Sequence, residues 1–257
     1  MSGEPLIRVE KVTQRFGTRT IFRDVSLTVC AGEVFVILGG SGCGKSTLLK
    51  QMIGLLRPTA GRIEIGGRRT DDPHALDAIR QDIGVMFQSG ALFGSMTMLE
   101  NVMLPLEMFT RLPPAGREAV ARVKLALVGL NEAASLRPAE ISGGMARRAG
   151  IARAMALDPP ILFLDEPSAG LDPITSAGID RLILELRRDL GATFVVVTHE
   201  LSSILAIADR CVMLDRNAFS DGGGLIAEGD PRRLRAESTH PVVRAFFHRQ
   251  TLEAAHA

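Results

Sequence analysis

Residues 34–47 read VFVILGGSGCGKST, an apolar run followed by a glycine-rich loop and the start of an amphipathic segment. The loop fits the phosphate-binding pattern G-x-x-x-x-G-K-[ST], which a chain of this composition would contain by chance about 0.004 times. In that pattern, glycines let backbone N–H groups surround a phosphate, the lysine reaches the β and γ phosphates, and the hydroxyl can hold Mg²⁺. We therefore predict a nucleotide-binding loop made of Gly39, Gly40, Ser41, Gly42, Cys43, Gly44, Lys45, Ser46 and Thr47.

The segments on either side of this loop predict an α/β fold. Residues 34–38 form a strand-like apolar run, and residues 46–56 place apolar side chains at helical spacing until Arg57-Pro58 ends the pattern. This order of strand, loop and helix favours nucleotide binding over the alternative of a flexible glycine turn. An antiparallel sheet with one wet face is predicted for three segments of alternating polarity, residues 6–12, 21–29 and 62–65.

Two later apolar strands end in polar residues. Residues 161–164 precede Asp165 and Glu166, and residues 193–197 precede Thr198 and His199. Strands that alternate with helices predict a mostly parallel sheet, with ligands at the carboxyl ends of the strands. There Asp165 can hold Mg²⁺ through water, and Glu166 can polarise an attacking water. On its own, such an acidic pair is the solvated end of a strand.

Helical patterns occupy much of the remaining chain. One helix is predicted to begin at Asp172-Pro173, a good N-cap and first-turn pair. Residues 88–156 interrupt the strand order and predict a helical insertion, with one face formed by Val120, Val123, Leu127 and Leu130. We predict that residues 1–257 hold a single domain, with limits of about 6–234. The tail, residues 235–257, either folds back on its own subunit or packs against a partner subunit.

Composition and charge exclude several classes of protein. Thirty basic and 29 acidic residues leave a formal charge of +1, which supplies no field for coating DNA or RNA, so no nucleic-acid partner is expected. No apolar run approaches the ~20 residues that cross a bilayer. Cys30, Cys43 and Cys211 have no metal-ligand spacing. We expect a cytosolic, reduced protein. Cys43 lies beside a helix N-terminus that favours a thiolate, so we predict that a maleimide reacts with it; the alternative is a side chain that points away from solvent and does not react.

Residues 141–148, ISGGMARR, carry the most specific resemblance to a known family. Their Ser-Gly-Gly start resembles the signature of ATP-binding subunits of ABC (ATP-binding cassette) transporters, an anion site of a hydroxyl, bare N–H groups and a helix dipole. The resemblance implies a P-loop ATPase of ABC type with ATP and Mg²⁺ as cofactors. It also implies head-to-tail pairing with a second copy, a homodimer, or with a homologue. Each ATP would then be held in trans by Ser142, Gly143 and Gly144 of the other subunit.

Further site residues follow from the same resemblance. Gln88 matches the glutamine that touches Mg²⁺ and water, and Asp172 ends the loop at the dimer interface. His199 matches the histidine that contacts the γ-phosphate, and Phe16 is the best match for the aromatic residue that stacks on adenine. The resemblance assigns catalysis to Glu166, His199 and Gln88, and Mg²⁺ to Ser46, Gln88 and, through water, Asp165. Without the resemblance, each residue has a structural interpretation instead: Gln88 is a loop amide, His199 a strand-end histidine and Phe16 a core ring.

A narrower resemblance rests on Met145, where most family members have glutamine, and on Arg147-Arg148 and residues 87–93. Together they are similar to ATPase subunits of bacterial lipid-transport systems of the maintenance-of-lipid-asymmetry and Mce type. Arg147 and Arg148 alone would be a solvated helix face. The resemblance implies phospholipid movement, a permease, a periplasmic lipid-binding component, and a place on the cytoplasmic face of the inner membrane. The alternatives are an ABC importer for another small hydrophobic solute and a soluble ABC ATPase without a permease.

Apolar residues are dense between Ser89 and Phe109, where charges are few. They include Leu92, Phe93, Met96, Met98, Leu99, Val102, Met103, Leu104, Leu106 and Met108. A soluble monomer rarely exposes so large an apolar patch without a partner, and the alternative is adaptable core filler. We predict that the permease docks at residues 89–109. Because Gln88 precedes this segment, a helix docked there would respond to bound ATP.

Overall fold

The computed structural model describes residues 5–250, which fall into two compact units. The first unit contains residues up to 79 and from 195 onward, and the second contains residues 80–194. The strands are β1 (Pro5–Phe16), β2 (Arg19–Cys30), β3 (Val34–Gly39), β4 (Ala60–Ile65), β5 (Arg68–Arg69), β6 (Ile83–Met86), β7 (Ile161–Asp165), β8 (Thr193–Val197), β9 (Arg210–Phe219) and β10 (Gly222–Gly229). The helices are α1 (Lys45–Met52), α2 (Pro73–Asp82), α3 (Met98–Phe109), α4 (Pro114–Leu127), α5 (Gly143–Ala154), α6 (Pro173–Leu190), α7 (Leu201–Ile207), α8 (Pro231–Glu237) and α9 (Pro241–His248). Residues 251–257, the end of the predicted tail, and residues 1–4 lie outside the described part of the chain.

The predicted antiparallel sheet is present in the first unit. Strand β1 pairs antiparallel with β2 on one side and with β4 on the other, so that Ile7 lies opposite both Val29 and Ile65. Ile7 and Val9 are buried while Arg8 between them is exposed, which explains the alternation in the sequence. The prediction for these segments is confirmed.

Strand β3 is buried along its whole length and runs parallel to β9. A strand covered on both faces needs a continuous apolar run, which is the pattern of residues 34–38. The strand ends at Gly39, where a Cβ atom would lie 2.2 Å from the carbonyl oxygen of Leu214 in β9. Only glycine therefore lets the chain leave β3 this close to its neighbour.

Helix α1 ends at Met52, earlier than the predicted end at Leu56. The cause is Gly54, which adopts a left-handed φ of 73° directly after the last turn and donates its N–H to the carbonyl of Gln51. A glycine in this position closes a helix C-terminus by itself, so the chain has left the helix before it reaches Arg57. The predicted apolar face begins correctly, since Leu48, Leu49 and Met52 are all fully buried.

The second unit contains the parallel pair of β6 and β7. Every residue of β7 is buried, as its apolar run predicts. Helix α6 begins where the sequence places it, because Asp172 accepts hydrogen bonds from the N–H groups of Ile174 and Thr175. Leu190, in the last turn of α6, is 43% exposed.

Residues 88–156 contain α3, α4 and α5, which pack against one another, so this stretch is largely helical. The predicted face of α4 was wrong, because Val123 is 57% and Leu127 41% exposed. Helix α4 instead buries Ala121, Leu125 and the stem of Lys124, whose ammonium donates to the Asp158 carboxylate. A lysine at a core position shifts the apparent apolar stripe, which is why the pattern misled. Within residues 5–250, no helix is both long and apolar enough to cross a bilayer. The single-domain limits stay a prediction.

Candidate functional site

The glycine-rich loop joins β3 to α1 in the first unit, and its lysine folds back over it. Nζ of Lys45 donates to the carbonyl oxygens of Gly39, at 2.9 Å, and of Gly40, at 3.1 Å. Lys45 is the first residue of α1, and Ser46 beside it is exposed on the first turn. The ammonium and the start of helix α1 thus lie at one end of the loop, an arrangement that attracts anions.

The glycines of the loop differ in what surrounds them. At Gly40 and Gly42 a Cβ atom would meet no atom within 4 Å, so this side of the loop is open. At Gly44, with a φ of 102°, a Cβ would lie 2.6 Å from the ring of Phe22. The loop is therefore pinned against the sheet where it enters α1 and open where a phosphate would approach.

The thiol of Cys43 is buried, although the residue lies within the glycine-rich loop. Its side chain is only 1% exposed, and Sγ points towards Gly39, where a Cβ would lie 2.7 Å away. Burial raises the pKa of the thiol, and the nearby charge of Lys45 opposes this only in part. Of the two alternatives left open by the sequence, the structure has the unreactive one, because the loop turns Cys43 into the protein and away from solvent.

Phe16 and His199 also belong to the first unit. Phe16 ends β1 and is 51% exposed, which leaves a ring face open for stacking. His199 follows β8, is exposed, and lines a cavity with Phe246 and Arg249 of the C-terminal region.

The described part of the tail packs on its own chain. Helix α9 buries Val243 and Phe247, and Phe246 lines a second cavity together with Gly40 and Ser41 of the glycine-rich loop. The sequence left open whether the tail folds back or joins a partner subunit. Residues 241–248 fold back on their own subunit.

The acidic pair lies at the end of β7 in the second unit. Asp165 is the last residue of the strand and is only 8% exposed. Glu166 follows with a left-handed φ of 51°, which few non-glycine residues adopt and which often marks a functional constraint. The chain then turns through Ser168 and Leu171 to Asp172, the N-cap of α6.

The predicted signature, residues 142–144, forms the start of α5. Ser142 is its N-cap, and Oγ accepts a hydrogen bond of 3.2 Å from the N–H of Met145. Ser142 and Gly143 are exposed, whereas Gly144 is buried against the side chain of Thr175 in α6. The helix start therefore presents a hydroxyl and backbone N–H groups to solvent, as an anion site requires.

Arg147 is not a solvated residue, although the sequence alone favoured that interpretation. It is 8% exposed, and its guanidinium donates to the carbonyl of Ala169 at 3.1 Å. Burial lowers the pKa of Arg147, and the charge of Glu166 acts in the opposite direction. Arg147 thus joins α5 to the turn that follows Glu166. The sequence does not predict that Arg147 is buried, because its burial depends on how α5 packs against that turn.

Gln88 opens a short 3-10 turn, Gln88–Ala91, and its side chain is exposed. The apolar segment that follows is only partly a surface. Met98, Val102 and Leu106 are buried where α3 packs on α4 and α5, so the predicted docking patch is smaller than expected. The large apolar side chains of the segment that are most exposed are Phe93, Met108 and Phe109, at 51%, 67% and 42%. Leu92, Met96, Leu99, Met103 and Leu104 are partly exposed.

The site residues predicted from sequence are distributed over both units. Phe16, the loop from Gly39 to Thr47, and His199 belong to the first unit. Gln88, the signature, the acidic pair and Asp172 belong to the second. Within the second unit, the signature helix contacts the turn between Glu166 and Asp172 through the bond of Arg147 to Ala169, and it packs on the first turn of α6 where Gly144 faces Thr175. Two further residues, Asn101 and Arg153, hold the segment after Gln88 and were missed by the sequence analysis.

Comparison with known proteins gives consistent results. The model of the ABC transporter family matches residues 22–169. The probable ribonucleotide transport ATP-binding protein Mkl of Mycobacterium tuberculosis is 43% identical over 94% of this chain, and the chain spans 66% of its length. The intermembrane phospholipid transport system ATP-binding protein MlaF of Escherichia coli is 41% identical, over 88% of this chain and 86% of the relative. A dimeric, post-hydrolysis structure of the ATP-binding cassette MJ0796, bound to ADP and Pi, superposes with a TM-score of 0.76 at 33% identity, over 87% of this chain and 98% of that one.

These likenesses confirm the α/β fold of ABC ATPase type. The family model covers more than half of the chain, and the chain covers most of the length of a relative at 41% identity. The chain therefore belongs to the ABC transporter family, as one of its ATP-binding cassettes.

Proposed function

We propose that this protein binds and hydrolyses ATP to power an ABC transporter, and that the cargo is phospholipid moved between bacterial membranes. The observation that carries the ATPase part is the glycine-rich loop. Its lysine ammonium and helix start lie together at an open face, above Gly40 and Gly42. The relative that supports the cargo is MlaF, an intermembrane phospholipid transport protein at 41% identity.

The loop fits ATP, and the chain carries oxygen ligands suited to Mg²⁺. Open space at Gly40 and Gly42 leaves room for phosphate oxygens, and Lys45 supplies the positive charge. Hydroxyl, amide and carboxylate oxygens are the ligands that Mg²⁺ prefers, and Ser46, Gln88 and Asp165 would provide them. When bound, Mg²⁺ would neutralise charge on the phosphates.

The residues of this chain would divide the work as follows. Lys45 holds the β and γ phosphates, and the exposed Phe16 ring stacks on adenine. Glu166 accepts a proton from the attacking water. The left-handed backbone at Glu166, directly after β7, orients its side chain for this role. His199 contacts the γ-phosphate.

Two copies of the chain would act together. In this proposal Ser142, Gly143 and Gly144 of one subunit hold the phosphates bound by the other, since they form the start of α5, where Ser142 and Gly143 are exposed. Asp172 lies at the dimer interface, where it also caps α6. The similar cassette MJ0796 forms a dimer in the structure with ADP and Pi.

The partners are a transmembrane permease and a periplasmic lipid-binding component, with the ATPase on the cytoplasmic face of the inner membrane. The permease would dock beside Gln88 at the exposed side chains of Phe93, Met108 and Phe109. The rival cargoes come from relatives of similar identity, described as ribonucleotide transport and methionine import proteins. We expect no nucleic-acid partner.

The ATPase proposal is tested by Lys45→Ala, with Lys50→Ala as the control, because Lys50 is an exposed lysine on the same helix. Loss of a charge-assisted phosphate contact should weaken MgATP binding by about 10- to 100-fold, measured with a fluorescent ATP analogue. The control should bind as the wild type does. Glu166→Gln should bind ATP and release phosphate slowly. Normal turnover in both Lys45→Ala and Glu166→Gln would contradict the proposal.

The cargo is tested with the ATPase and its permease reconstituted in vesicles. Transfer of a fluorescent phospholipid to acceptor vesicles should require ATP and be lost with Glu166→Gln. Uptake of labelled ribonucleotide or methionine without phospholipid transfer would replace the lipid assignment and leave the ATPase assignment in place.

A further inference from the structure

We propose that Arg153 and Asn101 are positioning residues that hold residues 88–97, here called the Gln88 segment, in one shape and so link Gln88 and Phe93 to the signature helix α5. The inference rests on the proposed ATPase function. Neither residue lies in the phosphate loop, the acidic pair or the signature.

Arg153 holds the segment from α5. Its Nη1 donates to the carbonyl of Ala91 at 2.9 Å, and its Nη2 donates to the carbonyl of Gly90 at 3.1 Å. The guanidinium also lies 6.0 Å from the centre of the Phe93 ring. A planar group that bonds two successive carbonyls fixes both their distance and their orientation. Burial lowers the pKa of Arg153, as expected for a cation enclosed by this turn.

Asn101 holds the same segment from α3. It is fully buried, and its Oδ1 accepts the N–H of Phe93 at 2.8 Å. Its Nδ2 donates to the carbonyls of Phe93, Met96 and Thr97, at 3.2, 3.2 and 2.9 Å. A buried amide is costly unless every polar atom is bonded. Here both ends of the amide are used on one short stretch of backbone.

Close backbone contact adds to these hydrogen bonds. Gly90 has a φ of 75°, and a Cβ on it would lie 2.7 Å from the carbonyl oxygen of Ala146 in α5. A Cβ on Gly150 of the same helix would lie 3.0 Å from the Cα of Gly90. With no side chain between them, the turn cannot slide along α5 without breaking the bonds of Arg153. A displacement of α5 is therefore passed to the Gln88 segment.

The two ends of the segment carry different groups. Gln88, exposed at its start, is the residue proposed to touch the nucleotide site. Phe93 has both its backbone N–H and its carbonyl bonded to Asn101, while its ring is 51% exposed. One rigid turn thus connects the signature helix, a proposed nucleotide contact and an apolar side chain proposed to meet the permease.

Hydrogen exchange of the full-length protein without nucleotide tests the link, because it does not depend on hydrolysis. The variants are Arg153→Met and Asn101→Leu, with Arg148→Met as the matched control. Arg148 is an arginine of the same helix that donates to the Val128 carbonyl instead, at 3.4 Å. We expect exchange at the Gly90 and Phe93 amides to rise about fivefold to tenfold in both test variants. The control should stay within about twofold of the wild type.

Steady-state kinetics give the second readout. Arg153→Met should lower kcat about fivefold or more while the KM for MgATP stays within about twofold, since the phosphate loop is untouched. Arg153→Lys keeps the charge but has one donor nitrogen instead of the two that Arg153 uses, so it should restore part of both effects. The proposal is overturned if Arg153→Met exchanges no faster than Arg148→Met at residues 88–97. It is also overturned if faster exchange spreads evenly over α3, α4 and α5. A wild-type protein without ATPase activity would contradict the proposed function. The exchange pattern would still decide whether Arg153 and Asn101 hold the Gln88 segment to α5.

Discussion

Replacement of Gly144 by alanine should destabilise the second unit through one contact. A Cβ at Gly144 would lie 2.4 Å from Cγ2 of Thr175, whereas carbon atoms in proteins pack at about 3.5–4.0 Å. Thr175 cannot easily turn away, because its backbone N–H and its hydroxyl both bond to Asp172. Overpacking of this kind costs about 1–3 kcal/mol, and the better helix propensity of alanine offsets up to about 1 kcal/mol. We expect a net loss of about 1–2 kcal/mol, or about 3–6 °C in Tm.

The assay is urea and thermal unfolding of Gly144→Ala alone and combined with Thr175→Ser. Serine lacks the clashing methyl and keeps the hydroxyl, and the next atom of residue 175 is the Cβ, 3.9 Å away. The loss should therefore shrink to within about 0.5 kcal/mol in the Thr175→Ser background. Gly143→Ala is the control, because its Cβ would meet Leu171 at an ordinary 3.4 Å. Equal loss in both backgrounds would refute the contact as the cause.

Two further predictions concern exposure. Cys43 should resist maleimide labelling in the folded protein with or without MgATP and react only in urea, because its thiol is buried and its pKa is raised; fast labelling of the folded protein would show that the loop opens. Met108→Glu, at a side chain 67% exposed, should change stability by less than about 0.5 kcal/mol and weaken co-purification with the permease. Met98→Glu, at a fully buried position, should instead cost several kcal/mol, and equal stability of the two variants would contradict the division of the patch.

Local patterns predicted the elements whose shape depends on their own residues. Strand β3, the glycine-rich loop and the start of α1 follow from an apolar run, spaced glycines and a lysine. The start of α6 follows from Asp172-Pro173, where the cap bonds are made to the next residues in the chain. For the lysine of the loop and the cap of α6, the partner atoms lie within a few residues, so the sequence contains the whole interaction.

Failures occurred where the deciding partner is distant in the chain. The side chain of Cys43 turns inward beside Gly39, which has no side chain because β9 lies close to it, and loop chemistry does not reveal this. The face of α4 was misplaced because Lys124 is buried by pairing with Asp158. The docking patch was overestimated because α4 and α5 cover one side of α3. Burial of charge and covering of apolar surface are both decided by packing.

Helix α5 shows why a charged helix face is a poor guide to solvent. Its middle turn is Ala149, Gly150, Ile151 and Ala152, all buried, so neighbouring backbone can approach on several sides. Small residues let the carbonyl groups of the surrounding turns come close to the helix. A long side chain with several donors, such as arginine, can extend past the small residues and donate hydrogen bonds to those carbonyls. Arg147 reaches Ala169 in this way, and Arg153 reaches Gly90. Arginines spaced among glycine and alanine on one helix therefore indicate a helix packed against irregular backbone, not a wet surface, and it is this packing that would let the signature helix act on the turns beside it.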